Sequence, residues 1–187
     1  MDNLVYNCTD SLLQPSTPSC HTDYGETVVK VAFMKEGGTF EVAASDGPTA
    51  SEFETAITAG EVTIIDKITN GHRIQNGATE VSGDDTITGG TERYDVMYRV
   101  EGRIKVFDES IKRLTERLDR FSTLRMWYFT NRNYCFGGPE GFEVTPNFDL
   151  HIIEGRGTPG YIPFYCDFTA IGEDFAVQDA DFVDLSN

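Results

Sequence analysis

Positive charge is scarce in this sequence: 15 Lys and Arg stand against 31 Asp and Glu over 187 residues, a formal net charge of −16. Gripping a nucleic-acid backbone takes clustered bases, so this balance argues against a DNA-binding surface. It suits a soluble protein, and a surface that DNA slides past without sticking. Long hydrophobic runs are missing too. No stretch approaches the roughly 20 apolar residues of a membrane span, and no membrane partner is expected. The opening MDNLVYNCTDSLL has acids where a signal peptide carries Lys or Arg, and it lacks an apolar core. Residence in a cytoplasm is the expectation. Cysteine is sparse, and Cys8, Cys20, Cys135 and Cys166 form no C-x-x-C pair and no zinc-finger spacing with histidine. Cys135 in NYCFGG and Cys166 in PFYCDF sit among aromatics, as reduced, buried thiols do. A reducing compartment would oppose a Cys8–Cys20 bond.

Catalytic signatures are absent. There is no G-x-S-x-G, no P-loop and no evident nucleophile–base pairing. GRGTPG (155–160) matches a dinucleotide fingerprint literally, but Pro159 and the strand-like YIPFYCDF follow it, where the fingerprint needs a helix. It reads as a glycine turn. His21, His72 and His151 lie far apart, without metal-ligand spacing. Asp84-Asp85 in SGDDTITGG lacks the alternating ligands and closing Glu of a calcium loop, so an acidic turn is preferred. Asn7-Cys8-Thr9 fits a glycosylation pattern, with nothing to route the chain to secretion. The expectation is a protein that is not an enzyme, with no catalytic residues, no metal and no cofactor. An enzyme would have to gather His151 with Glu154 or Asp149.

What the chain does hold is 39% hydrophobic and 12% aromatic residues with 18 glycines, enough for a core and rich in turns. Residues 1–26 read as a polar N-terminal arm, 27–172 as the domain, and 173–187 as an acidic C-terminal tail with five acids and no base. TVVKVAFMK (27–35) alternates as a half-buried strand does, and Gly37-Gly38 turns it toward a strand at 39–44. A short helix over about 51–59 takes Ser51 and Glu54 as its capping box. VTIIDKIT (62–69) predicts a strand, and the two Asn-Gly pairs of NGHRIQNG predict tight turns. The Thr/Gly-rich 78–92 is an exposed hairpin or loop. A long strand follows over RYDVMYRVEGRIKVF, with a bulge or bend at Gly102. The main helix spans about 108–121, capped by Asp108, with Ile111, Leu114, Leu118 and Phe121 as its core stripe. TLRMWYFT reads as a central strand. Residues 141–155 and 158–172 read as two paired strands, with Pro146 and Pro163 at edges or bulges. The predicted class is β-rich α+β: two packed, mainly antiparallel sheets, sandwich- or barrel-like, with these two helices.

Charge is distributed unevenly. From Arg93 to Arg132 ten bases meet six acids, so this band is +4 while the rest of the chain is −20. Three readings compete: pairing within the chain, including Glu116 to Arg120; a nucleic-acid contact, disfavoured by the surrounding charge; and self-association through complementary patches, which closes into rings or continues as filaments. Both chain ends carry spaced apolar anchors, among them Leu4, Val5, Leu12, Leu13, Phe175, Val177, Phe182 and Leu185. Such segments order by docking, on their own domain or on a neighbour's sheet edge. Lys112, Arg113, Arg117, Arg120, Phe175 and Phe182 are the candidate subunit-interface residues.

From TVVKVAFMK through DESIKRLTERLDRF to PFYCDFTAIG, the chain resembles structural proteins of tailed-bacteriophage virions, and most of all tail-tube proteins. The resemblance implies a homo-oligomer: ring-forming subunits, usually hexameric, stacked into a tube with an acidic lumen, alongside other virion proteins. Its place would be the virion, and the host cytoplasm during assembly. Glu80, Asp84, Asp85 and Glu92 would then line the lumen or the ring-stacking surface. The family pattern has a pair of long adjacent strands building the inner barrel, which the sequence does not mark. A head-surface or head-completion protein would share these features. The competing reading is a β-sandwich module holding a sugar or peptide on Trp127, Tyr128, Tyr161 or Tyr165.

Overall fold

Strand β1 (Thr27–Lys35) sets the architecture, because its apolar residues serve two faces. In the computed structural model, which describes residues 27–40, 47–66, 68–82, 91–105, 109–121, 123–149, 153–155, 158–169 and 176–186, β1 pairs along one edge with β5 (Leu124–Thr130). Its other edge pairs with β2 (Val62–Ile65) and with the start of β3 (Ile68–Ser82). From β3 the antiparallel ladder continues through β4 (Thr91–Lys105), β9 (Thr158–Thr169) and β7 (Phe142–Phe148) back to β5. Six strands thus close into an antiparallel barrel. The β-rich class holds, but in place of two separate sheets one sheet curls onto itself. Strands β6 (Tyr134–Phe136), β8 (Ile153–Gly155) and β10 (Ala176–Gln178) extend it, β6 on β5, β8 on β9 and β10 on β6.

A barrel this small has its interior filled by side chains. Val31 and Phe33 of β1 meet Met126 and Tyr128 of β5, Val144 of β7, Ile162, Phe164 and Cys166 of β9, and Val100 and Ile104 of β4. Helix α2 (Glu109–Leu118) packs Ile111, Leu114 and Leu118 against this core. Outside the barrel, Ala32 and Met34 of β1 and Trp127 and Phe129 of β5 form a second core. It is covered by helix α1 (Ala50–Thr58), by Phe40 and by the C-terminal segment. Phe53 of α1 sits edge-on to Phe40, Trp127 and Phe129, with centroids 4.8–5.9 Å apart. Two buried faces explain why LRMWYFT is apolar almost throughout.

Several local expectations are displaced by tertiary contacts. The capping box of α1 belongs to Thr49 and Glu52, whose carboxylate accepts from the Thr49 N–H at 2.7 Å and its hydroxyl at 2.8 Å. Thr39 and Phe40 lie outside any strand, and the Phe40 N–H donates to the Pro139 carbonyl; residues 41–46 are outside the described residues. VTIIDKIT is broken, with β2 ending at Ile65 and β3 beginning at Ile68. The Asn-Gly pairs make no hairpin turns. They lie inside β3, where the register with β4 shifts between Thr69 and His72 and again around Gly77. Gly102 carries no bulge in the β4–β9 ladder, which runs unbroken through it; the irregularity sits opposite, on β3. Phe121 falls beyond the end of α2 and is 38% exposed, while Asp108 is outside the described residues. The stretch 141–155 divides into β7 and β8, both pairing with β9. Pro146 lies past the last β7 residue paired with β5, and Pro163 lies where the partner of β9 changes from β7 to β8. Both prolines therefore avoid a full ladder on two sides.

Gly71 and Gly102 mark the tightest approach between strands. A Cβ on Gly71 would come within 2.1 Å of the Val28 carbonyl oxygen, and one on Gly102 within 3.1 Å of the Gly71 Cα. Backbone cannot yield as a flexible side chain does. Gly71→Ala is expected to lower the stability measured by urea unfolding by about 1–3 kcal/mol; an unchanged midpoint would show that β1 and β3 separate without cost.

Cys135 and Cys166 are buried free thiols, as expected, while Cys8 and Cys20 lie outside the described residues. Burial pushes both thiols well above their ordinary pKa. The folded protein keeps these protons at a pH where the unfolded chain releases them, so stability is lost as pH rises past the ordinary thiol pKa of about 8.5. In a Cys8→Ser/Cys20→Ser variant at pH 8, a thiol reagent is expected to react only at the rate of unfolding. Immediate labelling of either cysteine would contradict the burial.

Candidate assembly surface

Because the apolar stripe of α2 faces the barrel core, its charged stripe faces solvent. Arg113, Arg117 and Arg120 are exposed and Lys112 is half-buried. Arg113 reaches Glu109 one turn back at 3.7 Å, with both side chains largely in water. Such a pair contributes only a few tenths of a kcal/mol (about 0.3–0.5). Among the described residues no ion pair links Glu116 to Arg120, since α2 ends at Leu118 and Arg120 leaves the helical spacing.

Elsewhere the basic band is engaged on the barrel wall. Arg99 grips Asp167 with two hydrogen bonds of 2.7 and 2.8 Å and lies 4.2 Å above the Tyr165 ring. The Asp167 bond raises the Arg99 pKa above its ordinary value. Arg103 lies 4.8 Å above the Tyr161 ring, and Arg125 faces Glu143 at 3.7 Å. Pairing within the chain thus engages Arg99 and Arg125 of the strand part of the band, and Arg103 rests on a ring, while α2 keeps its bases outward. Between α2 and β2 runs a groove of about 660 Å³, with Ile65 and Ile104 at its base, Leu114 on its wall and Arg113 and Arg117 at its rim.

The longest elements are β3 and β4, 15 residues each. Their pairing continues through Thr79↔Tyr94 to Ser82↔Thr91, and among the described residues β9 follows β4 as far as Met97↔Thr169. Glu80 stands opposite Arg93, and Glu92 opposite Val81; Asp84 and Asp85 lie outside the described residues. The sequence did not disclose these two long adjacent strands. The signal was weak because Gly71, Gly77 and the Thr-rich stretch interrupt the alternation.

The C-terminal segment docks on its own domain. β10 pairs with β6, a short 3-10 helix (Ala180–Val183) follows, and Phe182 and Leu185 are each 1% exposed in the outer core. Phe182 therefore offers a neighbouring subunit no surface while the segment is docked; Phe175 is outside the described residues. Sequence reasoning missed Lys30, which is 8% exposed. Its ammonium donates to the carbonyls of Phe182, Val183 and Leu185 at 3.0, 2.6 and 2.6 Å. Desolvation lowers its pKa, opposed by the charges of Asp66 and Asp184.

The residues of the competing readings are dispersed or covered. Trp127 is fully buried, its indole N–H donating to the Gly138 carbonyl at 2.7 Å, and Tyr128 is buried beside Phe136. Tyr161 and Tyr165 lie under Arg103 and Arg99. His72 contacts Glu101 at 3.1 Å, while His21 and His151 are outside the described residues. Among the described residues no three His, Cys, Asp or Glu gather as a metal site, and no helix is long and apolar enough to cross a membrane. The chain matches no protein-family model, no curated protein and no solved structure.

Lys30→Met keeps most of the buried volume but removes a charged donor from three carbonyls. The expected loss is about 2 kcal/mol of stability, with new protease cleavage between residues 176 and 186. Equal protection in the variant would mean that Phe182 and Leu185 hold the segment unaided.

Proposed function

We propose that this chain is a non-enzymatic, self-assembling structural subunit of a bacteriophage virion, a ring or tube component like the tail-tube proteins it resembles. The observation that carries the reading is the β3–β4 pair. Two 15-residue strands, paired with each other as far as Ser82↔Thr91, share the stretch 78–92, which holds Glu80, Asp84, Asp85 and Glu92 and no base. Side by side in a ring, ribbons of this kind line a channel. The acids keep the channel negative, so a polyanion passes without binding. Charge complementarity between the outward bases of α2 and the acidic body of the next copy sets the register of heterologous contacts, which close into rings, hexameric in the family it resembles. Other virion proteins would be its further partners, and host cytoplasm its place during assembly.

A head-surface or head-completion role would use the same self-association without the channel. A sugar- or peptide-binding role has less support, since Arg99 and Arg103 occupy the faces of the two outward tyrosines. Light scattering after size exclusion, over a series of concentrations and salt, with negative-stain images of each fraction, decides between them. Rings or tubes that dissociate as salt screens the contacts are the expected outcome. A monomer at every concentration and salt would refute self-assembly.

A further inference from the structure

The groove between α2 and β2 combines an aliphatic base with a basic rim. Ile65 and Ile104 are 4% and 0% exposed, Leu114 is half-buried on the helical wall, and Arg113 and Arg117 stand above them. Asp66 is the single acid among the described lining residues, and its charge also acts on the Lys30 ammonium. An occupant suited to this groove carries aliphatic side chains beside acids and has no base.

The first 26 residues fit that description. They contain Asp2, Asp10, Asp23 and Glu26, with neither Lys nor Arg. Within them DNLVYNCTDSLL (2–13) sets Leu4, Val5, Leu12 and Leu13 beside Asp2 and Asp10. We propose that residues 2–13 of a second copy occupy the α2–β2 groove, with the Asp2 and Asp10 carboxylates against Arg113 and Arg117. Thr27 pairs with His72, while the groove lies toward the other half of β1, where Val31 pairs with Ile65. Residues 14–26, at about 3.3 Å per extended residue, are long enough to span that distance within one chain, so the choice of a second copy comes from the self-assembly reading. The inference rests on the self-assembly reading and names the contact that would join the copies.

Reciprocal charge reversal in full-length chains tests it. One chain carries Arg113→Glu/Arg117→Glu and the other Asp2→Lys/Asp10→Lys. Each alone is expected to associate at least about tenfold more weakly than the original chain. An equimolar mixture is expected to regain the original size, because each reversed partner then meets a complementary one. Arg113 and Arg117 are exposed, so an unchanged melting temperature is expected, and the milder Arg113→Gln/Arg117→Gln should give an intermediate loss. If both reversed chains assemble like the original, the groove is not the contact, although self-assembly stands. If the mixture associates no better than its parts, the segment does not act between copies. If the original chain is monomeric throughout, the self-assembly reading fails and this contact fails with it.

Discussion

Everything in this fold depends on β1 being paired on both edges and covered on both faces. Its ladder with β5 closes the barrel, and its contacts with β2 and β3 complete the ring of hydrogen bonds. Closure removes sheet edges that would otherwise be open to chance pairing. It also leaves Ala32, Met34, Trp127 and Phe129 facing outward, where water would be costly. Helix α1 and the C-terminal segment supply the missing cover. The last residues thus belong to the core although their composition is that of a solvated tail.

Lys30 shows how finely that cover is set. Val28 packs in the barrel interior, and two residues later Lys30 points outward, because the β1–β5 register shifts between them. Unbroken alternation would have sent the ammonium into an apolar barrel. The shift delivers it instead to three carbonyls at the end of the 3-10 helix, which offset its desolvation. One irregularity in a strand therefore reconciles an interior valine with an exterior cation and ties the two ends of the described chain together.

The charge pattern has a comparable division of labour. On the barrel wall Arg99 and Arg125 meet Asp167 and Glu143, whose carboxylates offset their charge, and Arg103 rests on the Tyr161 ring. On α2 the bases have no such cross-strand partners, because a helix lying on an apolar core turns its polar side to water. The acids of 78–92 are separated from them along the sequence.

Much of this was legible in the sequence. The apolar content of TVVKVAFMK marks the bounds of β1, though its alternation suggested one buried face where the structure buries both, the stripe Ile111, Leu114 and Leu118 marks α2, and the continuous apolar run of LRMWYFT marks a strand buried on both sides. These signals are local, because side-chain period and burial are written in neighbouring residues. The basic helix was legible for the same reason. Where two local solutions fit, only the tertiary structure chose. Ser51 and Thr49 both suit a cap, and the box forms at Thr49, where Asp179 from the far end of the chain also accepts the Ala50 N–H. Asn70-Gly71 suits a hairpin turn, yet it is absorbed into β3 because Gly71 must pass against Val28 and Gly102. Phe182 and Leu185 sit in an acidic stretch that suits solvent, and the exposed outer face of β1 and β5 draws them in. Sequence by itself determined β1, β4, β5 and the two helices, and which helix is basic. Barrel closure, the Lys30 contact and the docked C-terminus were decided by pairing between residues far apart in the chain, which no local period encodes.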